Sequence, residues 1–258
     1  MAILPHPLMI IFVTLLSHTA LSASAAAATY NVERLGAKAD GKTDSTKAFL
    51  AAWAKACASP KPVVVYVPQG RFFLKNVVFG GKCNNNDVTF RIAGTLVAPS
   101  EYRVIGDAGY WIFFEHVNGV TISGGILDAQ VLCVFVQTLG FSNSKNIKIM
   151  GLTSLNSQMF HIVINGCNNV KLQGVKVSAS GTSPNTDGIH VQASTGVTIL
   201  NSQIGTGDDC VSIGPGTTNL WIEDIACGPG HGISIGSLGK EMKEAGVQNV
   251  TVKTATFR

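Results

Sequence analysis

The segments Asn168-Asn-Val-Lys-Leu172, Gly188-Ile-His-Val191, Ser194-Thr-Gly-Val-Thr-Ile199 and Cys210-Val-Ser-Ile213 decide the fold. Each opens on a polar or glycine-bearing turn and continues with apolar residues at alternate positions, the period of a half-buried strand. Working outward, one series comprises Asn118-Gly-Val-Thr-Ile122, Lys145-Asn-Ile-Lys-Ile149, the Asn168 and Ser194 segments, Thr218-Asn-Leu-Trp-Ile222 and Gln248-Asn-Val-Thr-Val252. It recurs every roughly 23 to 30 residues. A second series, His161-Ile-Val-Ile164, Gly188–Val191, Cys210–Ile213 and Gly232-Ile-Ser-Ile235, falls between its members with a similar period. Two strand series in fixed phase are expected when each repeat is one coil of a parallel β-helix. A leucine-rich repeat has a similar period but needs a leucine scaffold that is missing here. A β-sandwich would not keep two interleaved series in phase.

Ahead of the repeats, Thr43 to Ser45 offer capping side chains. Ala48, Phe49, Ala52, Trp53, Ala56 and Cys57 keep a helical period, and Pro60 ends it. The pattern predicts a helix over residues 45 to 57, placed to cover the open end of the stack, whose strand edge would otherwise be exposed. Val63 to Val67 reads as a continuous apolar strand.

The first residues read as a secretory signal peptide, residues 1–28, with an apolar core from Leu8 to Leu16 and small residues from Ser22 to Ala28. The apolar core is too short to span a membrane, so no membrane association is expected after cleavage. Residues 29–258 then form one domain, expected to be a monomer. Abundant Gly (28 residues) and only 13% charged residues suit an all-β chain with many turns. The net charge of +4 could help approach an acidic polymer, but no dense basic patch interleaved with aromatics is present, so nucleic acid is not an expected partner.

Six cysteines in a secreted chain suggest disulfides, with 15 possible pairings if all six join. Cys57 with Cys83 and Cys210 with Cys227 are the proposed pairs. Cys133 and Cys167 are left over, to pair with each other or stay single. Cysteines at the short spacing of a zinc ligand pair are lacking.

The acidic motifs acquire geometry from the coils. Gly188–Val191, Cys210–Ile213 and Gly232–Ile235 are successive copies of one strand. The residues just before them, Asp187, Asp208 with Asp209, and His231, therefore fall at one corner of consecutive coils, with rungs about 4.8 Å apart. Crowded carboxylates cannot all ionise easily, so at least one should have a raised, coupled pKa. Such a site can supply the protonated acid and the ionised carboxylate that glycosidic bond hydrolysis needs. Read one at a time, Asp208 and Asp209 could equally be turn caps, and Asn168, Asn169 and Asn249 turn residues or rungs of a polar ladder. Trp53, Trp111 and Trp221 are expected to pack within or between coils.

Ser183-Pro-Asn-Thr-Asp-Gly-Ile-His190, Thr206-Gly-Asp-Asp-Cys210 and Cys227-Gly-Pro-Gly-His-Gly-Ile-Ser-Ile-Gly236 resemble the signature blocks of plant polygalacturonases of glycoside hydrolase family 28. The likeness runs from about Tyr30, through Gly36-Ala-Lys-Ala-Asp-Gly-Lys-Thr-Asp44, to Arg258. It implies an all-β fold, a single-stranded right-handed parallel β-helix of the pectin lyase-like kind. It also implies inverting hydrolysis of α-1,4 galacturonosyl bonds in polygalacturonate, the de-esterified part of pectin, by a secreted, extracellular cell-wall protein with neither metal nor other cofactor. By resemblance Asp208 is the general acid, Asp187 and Asp209 position and activate the water, His231 influences the acid or binds substrate, and Asn185 supports the same subsite. His190 is a second candidate substrate contact.

Two departures accompany the resemblance. The family carries an Arg-Ile-Lys block shortly after the strand equivalent to 247–258, and this sequence stops before it, as in a C-terminally truncated form. The segment Leu127-Asp-Ala-Gln-Val-Leu-Cys-Val-Phe-Val-Gln137 is shorter than the family's Cys-bearing loop, which would orphan Cys133. The alternative to a working hydrolase is therefore a catalytically weakened, pectin-binding β-helix. A calcium-dependent pectate lyase on the same architecture is a third reading.

Overall fold

The computed structural model describes residues 27–101, 104–105, 108–130 and 136–258. Almost all of the signal-peptide reading, and Cys133 with most of its loop, lie outside the described residues; the first strand, Ala28–Asn31, begins at the end of the small-residue run.

The chain winds as a right-handed parallel β-helix in which every strand pairing is parallel. The first series forms one long ladder, from Ala28–Asn31 and Val63–Val67 through Lys145–Met150 and Asn168–Gln173 to Thr218–Cys227 and Gln248–Phe257. The second forms a seven-stranded sheet that includes Ile162–Asn165, Ile189–Gln192, Val211–Ile213 and Ile233–Ile235. A third set completes each coil: Thr95–Val97, Ile126–Asp128, Thr153–Leu155 and Lys176–Ser178 stack in register. The sequence periods do not reveal it because a three-residue strand carries a single inward side chain, too few to display alternation.

Inward residues stack coil upon coil. Val65, Phe90, Ile122, Ile149, Leu172, Ile199 and Ile222 form one buried column, each the register partner of the next. Phe79, Phe114 and Phe141 form another, with ring centroids 4.9 and 4.7 Å apart. Burying each such side chain contributes about 1.5–3 kcal/mol, which is why sequence repetition becomes structural repetition.

The helix spans Thr46–Ala58, one residue later than the expected bounds. Ser45 is the N-cap residue but its side chain does not cap; the Thr46 N–H is satisfied by Asp44 Oδ1 at 2.9 Å. Trp53 closes the aromatic column at this end, 5.6 Å from Phe79 and 5.9 Å from Phe90, so the helix caps the core as expected.

Along one corner the Asn118 side chain donates to Asn86 (2.8 Å), Asn146 to Asn118 (2.7 Å) and Asn169 to Asn146 (2.7 Å), a polar ladder that takes in Asn169 but not Asn168. Asn146 and Asn169 have φ of 57° and 56°, a left-handed conformation that asparagine tolerates better than most residues. The ladder is interrupted at Gly196 and resumes with Asn249 donating to Asn219 at 2.6 Å.

Candidate active site

The site is built by the turns entering three consecutive strands of the seven-stranded sheet. Backbone bonds set its frame: His161 N–H to the Asp187 carbonyl (2.9 Å), Gly188 N–H to Asp209 (2.8 Å), Cys210 N–H to Gly232 (2.8 Å) and His231 N–H to Asp208 (2.9 Å). The acidic turns are thus laid one upon the next by the ladder that holds the strands. Glycine at 207 is required by close approach, since a Cβ there would overlap the Ser183 backbone. The disulfide Cys210–Cys227 ties the turn after Asp209 to the next coil, and Cys57–Cys83 ties the helix to the first coils; both are the proposed pairs. Cys167 is buried and unpaired among the described residues.

Asp187, Asp208, Asp209, Asn185 and His190 line one cavity of about 610 Å³, with Met159, Phe160, Ser212, Ser234, Gly236 and Ser237. His231 stands on its rim, its side chain 70% exposed, with Nδ1 3.1 Å from Asp208 Oδ1. That oxygen also accepts the Asp209 N–H at 2.9 Å. Asp209 Oδ2 accepts a short hydrogen bond from the Ser234 hydroxyl. Asn185 sits in the turn with φ 54°, at the exposed edge.

The carboxylates differ chiefly in burial. Asp187 is only 7% exposed. Burial pushes its carboxyl up to about 6; the charges of Asp208 and Asp209 add to the rise, while the Ser212 hydroxyl and His231 oppose it. His190 is held below its usual value, again by burial. Its ring stacks on Phe160 at 4.9 Å and 8°, its Nδ1 lies 2.8 Å from the Ser212 hydroxyl, and Nε2 donates to Gln192 Oε1 at 3.2 Å. The ring is thus fixed in the cavity lining by partners at both nitrogens.

Asp208, Asp209 and His231 place ligand atoms within 4.8 Å of one another, close enough to hold a cation. Asp208 Oδ1 meets His231 Nδ1 and the Asp209 N–H, and Asp209 Oδ2 accepts from Ser234.

Sequence reasoning missed Ser212 and Ser234. A signal was present: in Cys210-Val-Ser-Ile213 and Gly232-Ile-Ser-Ile235 the serine holds the outward position that His190 holds one coil earlier, and the register pairs His190 with Ser212 and Ser212 with Ser234. Trp53 and Trp111 are core residues as expected, but Trp221 is 40% exposed on the outer face of the long ladder. It faces outward because Leu220 and Ile222 on either side point in.

A right-handed parallel β-helix with clustered carboxylates at one corner is an architecture of polysaccharide-cleaving proteins, and similarity to known proteins agrees. Residues 57–258 match the family model described as glycosyl hydrolases family 28, and the chain belongs to that family. It is 72% identical to a polygalacturonase from Prunus persica over 92% of this chain and 63% of that protein. It is 42% identical to an exopolygalacturonase from Platanus acerifolia, over 88% of this chain and 64% of that one. The crystal structure of endo-xylogalacturonan hydrolase from Aspergillus tubingensis superposes with a TM-score of 0.79 at 26% identity, covering 89% of this chain and 65% of that one. The chain thus spans a little under two thirds of the length of these relatives. Among the described residues, none of the helices is long and apolar enough to cross a membrane.

Proposed function

We propose that the chain is a pectin-degrading hydrolase that cleaves α-1,4 galacturonosyl bonds of polygalacturonate with inversion, acting as a secreted monomer in the cell wall after loss of residues 1–28. The carrying observation is that three carboxyls from adjoining turns share one cavity, with burial pushing one of them, Asp187, up to about 6. Below that pH the cluster retains a proton that isolated carboxyls would have lost.

Asp208, partly exposed and paired with His231, presents the acid proton to the glycosidic oxygen. Asp187, protonated below about pH 6, and Asp209 together hold the attacking water, and the Asp209 carboxylate takes its proton as it adds to the anomeric carbon from the opposite face. Ser234 fixes the Asp209 carboxylate, and Ser212 with His190 forms the floor beneath the sugar. His231 donates a hydrogen bond to Asp208 once that carboxyl has given up its proton, stabilising the carboxylate left behind. Asn185 lies at the cavity edge within reach of substrate hydroxyls.

The test is release of reducing ends from polygalacturonate by the full chain beside an Asp208→Asn control. Equal product from both would end the proposal. Chelator-sensitive cleavage yielding unsaturated sugars would replace it with a lyase. Binding without turnover would favour the weakened, pectin-binding reading.

A further inference from the structure

The outer face of the long ladder carries a cationic row that the site above does not use. Lys145 and Lys148 lie on the strand Lys145–Met150, and Lys148 is the direct cross-strand partner of Lys171. Lys176 follows on the same coil as Lys171, on the next sheet, with its side chain outward. Neighbouring rungs are about 4.8 Å apart, so Lys148 and Lys171 are like charges placed opposite each other, an arrangement that destabilises a sheet unless something neutralises it.

The acidic residues of the neighbouring strands, Glu223 and Asp224 on Thr218–Cys227, lie beside Lys253 instead, with Glu223 held by it at 2.9 Å. Among the described residues none of Lys145, Lys148, Lys171 and Lys176 makes an ion pair within 4.0 Å. The register row that holds Lys148 and Lys171 continues through Thr198 to Trp221. Trp221 is 40% exposed, and its indole N–H donates to Glu223 Oε2 at 2.9 Å, which orients the ring on the sheet. Lysines, a hydroxyl and a positioned indole therefore stand in one line on a face separate from the carboxylate cavity.

We propose that this face is a second, non-catalytic binding surface for de-esterified galacturonan, with the lysines meeting sugar carboxylates and Trp221 taking the C–H face of a sugar ring. The inference rests on the substrate class proposed above. Charge complementarity selects a polyanion, and the indole at the end of the cationic row favours a carbohydrate. Bound here, a long chain remains close to the cavity, raising the local concentration of cleavable bonds for polymers while leaving short oligomers unaffected.

The experiment measures affinity for polygalacturonate by affinity electrophoresis, using the full chain in an Asp208→Asn background, with and without Lys148→Gln/Lys171→Gln. The double variant is expected to bind about tenfold more weakly, and Lys148→Arg/Lys171→Arg to bind as the parent does. On the active background, the Gln double variant should hydrolyse trigalacturonate at the parental rate, and matching thermal melts exclude a folding defect. Trp221→Ala is expected to weaken binding without changing its salt dependence. Undiminished binding by the Gln double variant would overturn the proposal, as would equal parental affinity for fully methyl-esterified pectin or for duplex DNA. Absence of trigalacturonate hydrolysis by the active background, with polymer binding still sensitive to the lysines, would count against the hydrolase reading alone.

Discussion

The backbone N–H of His161 donates to the carbonyl of Asp187 at 2.9 Å, so a residue with a fully buried imidazole holds the turn that carries the most buried carboxyl of the cavity. The His161 ring lies inside the coil, its Nδ1 2.9 Å from the Ser154 hydroxyl and its Nε2 without a partner among the described residues. Burial drives its pKa down to about 3.

Acid should therefore unfold the protein partly through His161. The unfolded chain takes up a proton near pH 6.5 while the folded ring stays neutral to about pH 3, so stability falls with decreasing pH across that window. The slope is at most about 1.4 kcal/mol per pH unit. Urea denaturation of His161→Gln between pH 4 and 7 should show a shallower pH dependence than the parent, whatever its stability at pH 7. Parallel curves would contradict this.

Asp187 has the opposite sign. Its folded pKa is raised, so its contribution is fully present below about 3.8 and is lost as pH rises through about 6. Asp187→Asn should escape a destabilisation on the order of 2 kcal/mol at pH 7 relative to pH 4, while losing about 100-fold or more in kcat. For the parent, kcat/KM on oligogalacturonides should decline above about pH 6 as the cluster sheds its last proton. A profile flat through pH 7.5 would show that this proton is not used.

Ser234→Ala removes the hydroxyl that holds Asp209. Hydrogen bonds to charged groups contribute about 1.5–3 kcal/mol, so kcat should drop by at least about tenfold with KM little changed. A rise in KM alone would instead place Ser234 in substrate binding.

The Cys210–Cys227 disulfide closes a 17-residue separation directly after Asp209. Replacing both cysteines by serine should cost about 3 kcal/mol by chain entropy. Activity should fall below the parent's even where the variant remains folded, because the turn bearing Asp208 and Asp209 loses its tie to the next coil. Thermal melts paired with activity at low temperature separate the two effects.

Much of the fold is legible because a solenoid repeats its chemistry. Ile122, Ile149, Leu172 and Ile199 recur at one phase in the sequence and occupy one column in the structure. The third sheet is not legible, since Ile126–Asp128, Thr153–Leu155 and Lys176–Ser178 each have a single inward residue. The acidic residues of the site stand out because they are flanked by glycines in a chain poor in charge. Ser212 and Ser234 do not, because a serine in a strand has no signature until its register with His190 is known.

Local sequence alone determined the period, the capping helix and the grouping of Asp187, Asp208, Asp209 and His231 at one phase of the repeat, because alternation and turn chemistry are properties of neighbouring residues; which cysteines pair is fixed by the coils that bring them together. Which carboxyl is sealed from water was settled by the stacking of coils. Asp187 lies under the turns of the following coils and is 7% exposed, while Asp208 next to the rim is 27% exposed at its side chain. Desolvation is a property of what packs above a residue, and that comes from chain many positions away.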